Sequence, residues 1–180
     1  NGSGKTSVTS QILKHEWVEG CVYINPDNIA QEQFGDWNSP EAVLKAAQLA
    51  TKQRENCLKN GESFIFETVF SAPDKVDFLK RAKDAGFFIR LFFVGTNHPS
   101  INASRVARRV MEGGHDVPIS KIISRFYKSI QNCCPAASFV DRLYMYDNSV
   151  DYAPAQLLFR ANSGAIGKVY GELNPWAFPI

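Results

Sequence analysis

Asn1-Gly2-Ser3-Gly4-Lys5-Thr6-Ser7 opens the chain, and how this stretch is read decides the fold. It has the form of the second half of a phosphate-binding P-loop. Gly-rich backbone turns its N–H groups toward phosphate oxygens, and Lys5 is placed to reach the β- and γ-phosphates. The Thr6 hydroxyl is placed to ligate Mg²⁺, and a helix starting here points its positive end at the anion. Gly2, Ser3, Gly4, Lys5, Thr6 and Ser7 are therefore the candidate nucleotide-binding residues, with Thr6 the candidate metal ligand. The full pattern G-x-x-x-x-G-K-[ST] places its first Gly two residues before Asn1, after a strand. The chain is accordingly expected to be N-terminally truncated.

Working outward, an amphipathic helix is expected from Lys5 to about Glu16, with Val8, Ile12 and Leu13 inward. Cys21–Ile24 reads as a short buried strand ended by Asn25-Pro26. Ser39-Pro40-Glu41 is a helix start, with a capping serine, proline at the first position and an acid in the first turn. That helix runs to about Lys59 and is closed by Asn60-Gly61. Ser63–Phe66 is a second strand. Pro73 opens a helix that ends at Ala85-Gly86. Phe87–Val94 is so continuously apolar that a central strand covered on both faces is expected. A basic helix follows at about Pro99–Glu112, and another runs from Pro118 or Ser120 to about Asn132. Leu143–Tyr146 reads as the last sheet strand. Leu157–Arg160 and Lys168–Tyr170 form a small hairpin around Gly164, and the proline- and aromatic-rich tail is expected to lie on the surface. Strands alternating with helices imply an α/β domain with a parallel sheet. No linker or repeat interrupts residues 1–180, so one domain is expected.

Composition agrees with this. The chain has 180 residues, 44% hydrophobic and 21% charged, which suits a globular domain with a real core. A net charge of +2 is too small to argue for nucleic acid or an anionic membrane. No apolar run approaches the roughly 20 residues of a membrane span, and no signal peptide is visible. Cys21, Cys57, Cys133 and Cys134 show no C-x-x-C spacing, so reduced thiols in a cytoplasmic protein are expected and a zinc site is not.

Chemistry is suggested by two further sets of residues. Asp27 and Glu67 fall at the carboxyl ends of strands, where open α/β sheets bind ligands. A carboxylate there can take the proton of an attacking hydroxyl or orient it. Each also has a plainer role, Asp27 as a helix cap and Glu67 as a solvated strand end. Arg105, Arg108 and Arg109, with Arg125 on the following helix, are the material of a cationic lid over a transferring phosphoryl group, or else a solvated basic face. Gly113-Gly114-His115-Asp116 would be the lid's hinge. No N-K-x-D guanine-reading motif or L-S-G-G signature is present, which leaves a small-molecule or nucleotide kinase. No apolar stripe for a partner protein is evident.

Taken together, N-G-S-G-K-T at 1–6, Y-I-N-P-D at 23–27, F-E-T-V-F-S at 66–71, R-V-A-R-R-V-M-E-G-G-H-D-V-P at 105–118, I-x-x-R-F-Y-K-S at 122–129 and Y-D-N-S at 146–149 resemble the zeta-toxin family of P-loop kinases. The resemblance covers about three quarters of the chain and is closest to the stand-alone bacterial branch. It implies an ATP- and Mg²⁺-dependent phosphotransferase. The family's better-studied toxins phosphorylate the 3′-hydroxyl of the amino sugar in UDP-N-acetylglucosamine and so starve peptidoglycan synthesis. By that resemblance Lys5 and Thr6 hold nucleotide phosphates and Mg²⁺, and Asp27 is the general base. Glu67 and Thr68 belong to the acceptor site; His115, read from its place in the hinge alone, is a candidate either to contact substrate phosphate or to cap a turn. Arg109 and Arg125 are lid candidates, and an antitoxin is a possible partner. Two alternatives stay open: a nucleotide-binding switch acting through a protein partner, and a nucleoside or nucleotide kinase.

Overall fold

The computed structural model describes residues 1–35, 38–114 and 116–180. Two compact units result, one of Asn1–Val8 with Val69–Ile180 and the other of Thr9–Thr68.

Helix α1 (Lys5–Ile12) is four residues shorter than its sequence suggests. Lys14 and His15 donate to carbonyls three residues back, so the helix tightens and stops, and Leu13 is exposed rather than inward. In the Thr9–Thr68 unit, β1 (Val22–Ile24) leads directly into α2 (Pro26–Gln33), a helix with no range expected from the sequence, although the plainer role of Asp27 as a cap points to one. Asn25 caps it by accepting from the Asp27 N–H, and Pro26 takes the first position. Helix α3 (Pro40–Asn60) begins and ends as its caps dictate: Ser39 Oγ accepts from Ala42 N–H, and Gly61 closes it at φ 70°. Strand β2 (Phe64–Phe66) pairs in parallel with β1, Tyr23 opposite Ile65. Ile24, Ile29, Ala30, Ala46, Ala50 and Cys57 form this unit's core. The alanines on α3 let the backbones of α2 and α3 approach, so small side chains build a dense contact.

In the larger unit, α4 (Asp74–Asp84) precedes β3 (Arg90–Gly95). Phe87 and Phe88, expected in the strand, lie instead in the turn that leaves α4. Gly86 adopts φ 86°, Phe87 N–H closes back on the Ala82 carbonyl, and Phe88 is exposed. Helix α5 (Pro99–Met111) follows, then α6 (Ile119–Ala137), β4 (Arg142–Asp147), β5 (Gln156–Asn162) and β6 (Ala165–Val169). The sheet order is β3-β4-β5-β6. β3 and β4 are parallel, while β4-β5 and β5-β6 are antiparallel. The hairpin therefore extends the sheet, and β3 lies at one end of it rather than in the centre. Leu143 and Met145 face one side of β4 and are fully buried, whereas Tyr144 on the other face stacks on Phe92 with 4.5 Å between ring centres.

The tail does not stay on the surface. Trp176 is buried, its ring packs near Phe93 and covers Gly95, and its Nε1–H donates to Asp147. Cys57 and Cys133 are buried and all four cysteines are free thiols. Among the described residues, no helix is long and apolar enough to cross a membrane.

Candidate functional site

The loop before α1 turns twice through left-handed backbone, at Gly2 (φ 75°) and Gly4 (φ 83°). Left-handed turns of this kind curl successive N–H groups into a concavity suited to an anion, and α1 adds its dipole. Glycine is required at both positions for a second reason, close approach. A Cβ on Gly2 would lie 2.5 Å from the Asn102 carbonyl oxygen, and one on Gly4 would lie 2.1 Å from Asn148 Nδ2.

Two asparagines hold this loop. Asn148, just past β4, donates from Nδ2 to the Ser3 carbonyl (2.8 Å). Asn102, buried on α5, donates from Nδ2 to the Asn1 carbonyl (2.9 Å) and accepts from the Thr96 hydroxyl. Arg125 on α6 joins them, its Nη1 donating to Asn1 Oδ1 (2.8 Å). A guanidinium from α6 thus lies beside the start of the loop.

The arginines of α5 behave differently. Arg105 donates to Asp151 (2.7 Å) and to the Asn148 carbonyl (2.8 Å). Arg108 donates to the other Asp151 oxygen (3.1 Å) and to the Tyr152 hydroxyl (2.9 Å), with its guanidinium 5.4 Å from that ring's centre. These two arginines hold the Asp151 carboxyl below the usual range, Arg105 first and Arg108 second, through hydrogen bonds and charge. They tie α5 to the segment after β4. Arg109 is exposed near the end of α5, its Cγ against Gly114. The expected lid arginines therefore divide, with Arg125 at the loop and Arg109 outward. His115 lies outside the described residues.

The acidic candidates belong to the Thr9–Thr68 unit. Asp27 is exposed in the first turn of α2. Glu67 is half-buried just past β2, its N–H bonded to the Ile24 carbonyl. Tyr23 donates its hydroxyl to Glu67 Oε1 (2.7 Å) and accepts from Asn25 Nδ2 (3.0 Å). Asn25 thus faces two ways, accepting from the Asp27 backbone N–H with its oxygen and donating to the Tyr23 hydroxyl with its amide. Burial, then the bond to Glu67, pushes the Tyr23 phenol up to about 12. Thr68 follows, half-buried. An acid follows each strand of the parallel pair, Glu67 directly after β2 and Asp27 in the first turn of α2, and Tyr23 with Asn25 links the Glu67 carboxylate to the Asp27 backbone N–H.

Sequence reading missed Tyr23, Thr96, Asn102 and Asn148. Asn148 carried a signal, since it follows a strand's carboxyl end as Asp27 does. Asn102 sits at the end of the first turn of α5 and carried none. Sequence reading also found no apolar stripe, yet Ile119, Ile123 and Tyr127 recur every four residues on α6 and are exposed.

Comparison with known proteins bears on these residues. The family model for Zeta toxin matches residues 1–153. A Haemophilus influenzae protein named only "Uncharacterized protein" is 31% identical over 115 residues, 64% of this chain and 79% of its own length. Among solved structures, a chain from the characterization of the PezAT chromosomal toxin-antitoxin system of Streptococcus pneumoniae matches with a TM-score of 0.60. That match has 17% identity and covers 89% of this chain and 68% of the other, so the two share a fold.

Proposed function

The chain belongs to the zeta-toxin family, and on that footing we propose that it transfers the γ-phosphate of ATP to a hydroxyl of a small molecule, with UDP-N-acetylglucosamine as the leading acceptor. The observation that carries the reading is the Arg125 guanidinium held on Asn1, beside a loop whose two left-handed glycines shape an anion cradle at a helix start. Gly2, Ser3, Gly4, Lys5, Thr6 and Ser7 receive the phosphates, with Lys5 and Arg125 offsetting charge on the transferring group. Asp27 accepts the proton of the attacking hydroxyl, which its exposure at the start of α2 permits. Glu67, fixed by Tyr23, and Thr68 orient the acceptor. Arg109 is left as the outer lid residue, and the reaction takes place in the cytoplasm, where ATP is found.

The residues fit Mg²⁺. That ion favours one or two protein oxygens plus phosphates and water over an all-protein cage. Thr6 supplies such an oxygen, a hydroxyl in the first turn of α1. Thr6 would hold the ion, which would supply positive charge to offset that of the phosphates.

The α6 stripe favours a second reading, in which the domain acts mainly by binding a protein such as an antitoxin. One screen separates the readings. Protein is incubated with γ-labelled ATP, Mg²⁺ and single acceptors. Label on UDP-N-acetylglucosamine is the expected result. Label on nucleosides alone would make it a nucleoside kinase, and ATP loss indifferent to every acceptor would favour the binding module.

A further inference from the structure

We propose that Asn148 and Asn102 are positioning residues that preset the loop at Gly2–Gly4 in its anion-binding form. This inference rests on the phosphate-binding reading above. A backbone carbonyl can only accept, so the amide group facing each one must be its NH₂. Asn148 therefore draws the Ser3 carbonyl toward the end of β4, and Asn102 draws the Asn1 carbonyl toward α5. In a trans peptide the C=O and the following N–H point in opposite directions. Pulling these two carbonyls back turns the N–H groups of Gly4 and Gly2 the other way, toward the face where an anion would sit.

Both asparagines are themselves fixed. Thr96 donates to Asn102 Oδ1 and sets which way that amide faces. Asn148 N–H bonds the Gly95 carbonyl, and Arg105 bonds the Asn148 carbonyl. The absence of a Cβ at Gly2 and Gly4 is what lets Asn102 and Asn148 come so close. The loop is thus braced from two elements before any ligand arrives, and a phosphate meets donors already aimed. Such preorganisation strengthens binding by removing an ordering cost.

The test measures binding of inorganic tripolyphosphate, with Mg²⁺, to the protein and to Asn148→Ala, Asn148→Asp and Asn102→Ala, alongside thermal melts. Asn148→Ala should bind about tenfold more weakly while melting close to the parent, because Asn148 is half-buried. Asn148→Asp should be equally weak or weaker at pH 8. As its carboxyl protonates it becomes a donor again, and its affinity relative to the parent protein at the same pH should rise above that of Asn148→Ala. A role confined to overall stability would give no such pH-dependent recovery. If the parent binds tripolyphosphate and all three folded variants bind it equally, the positioning role is wrong. If Asn148→Asp recovers only to the Asn148→Ala level, the lost hydrogen bond is not the cause and the inference also fails. If the parent does not bind tripolyphosphate at all, the phosphate-binding reading falls instead. Should Asn102→Ala unfold, the Asn148 pair decides the matter alone.

Discussion

The Tyr23 hydroxyl donates to Glu67 Oε1 across 2.7 Å, linking the ends of two parallel strands. Tyr23→Phe removes that bond and should lower stability by about 1 kcal/mol. The phenol is raised from its ordinary 10.0 to about 12, by burial first and then by Glu67. The neutral phenol's contribution is therefore complete below pH 10 and disappears as pH climbs from 10 to about 12. Urea titrations across that window should show a steeper alkaline loss for the parent protein than for Tyr23→Phe. Parallel curves would mean that the phenol is not coupled to folding.

Asp27→Ala should abolish phosphoryl transfer, a loss of a hundredfold or more in kcat, while ATP binding stays near normal. Turnover and calorimetric titration on the same protein check this. Unchanged turnover would remove Asp27 from the mechanism.

Arg125→Ala should act differently, weakening ATP binding and lowering kcat together, because a guanidinium beside the loop meets phosphate in both ground and transition states. Arg105→Ala should mainly lower the melting temperature, since Asp151 and the Asn148 carbonyl already occupy that side chain. The two variants swapping phenotypes would show that the lid assignment is reversed.

Asp141 supplies an acid-side prediction. Burial acts to raise its pKa, but hydrogen bonds from Lys83 and from the Ile89 N–H outweigh it and hold the carboxyl below its ordinary value. Its stabilising effect is then full above the ordinary carboxyl range and is lost as pH falls through the lowered value. Asp141→Asn should destabilise the protein near neutrality by about 1–3 kcal/mol and flatten the acid limb of its stability profile. Chemical denaturation from pH 7 down to pH 2 reads both.

Gly95→Ala tests the tail. The added methyl carbon would stand 2.3 Å from the Trp176 ring, an overlap that rigid neighbours relieve only by moving, at about 1–3 kcal/mol. Trp176→Leu in the same chain should recover part of that loss. If Gly95→Ala melts like the parent, Trp176 does not seat on Gly95 in solution.

The legible parts of the fold were those encoded locally. Ser39-Pro40 and Gly61 fix α3 because capping and left-handed closure involve side chains and backbone a few residues apart. Gly2 and Gly4 were legible for the same reason. Asn25-Pro26-Asp27 carried a capping signal too, kept open as Asp27's plainer role, although the residue that caps α2 is Asn25. Phe87 and Phe88 misled because an apolar run does not itself distinguish a strand from a turn, and Gly86 ended α4 with a closing bond to Phe87 instead. The partners that brace the loop were not legible, although the place of Asn148 after a strand was. Asn148 meets Ser3 across 145 positions of chain, and no periodicity encodes which partner an asparagine will find.

Strand β4 also works as a ruler. Gly95 pairs with Asp147, and Asn148 follows one step later with its N–H on the Gly95 carbonyl. Inserting or deleting a single residue within Leu143–Asp147 would invert which side chains face the core and would carry the asparagine off the Ser3 carbonyl in the same stroke. The hairpin tip at Ser163-Gly164 is exposed and carries no such measurement. Drift in length through this part of the molecule should therefore collect at that tip, while the run from Leu143 to Asn148 keeps its spacing.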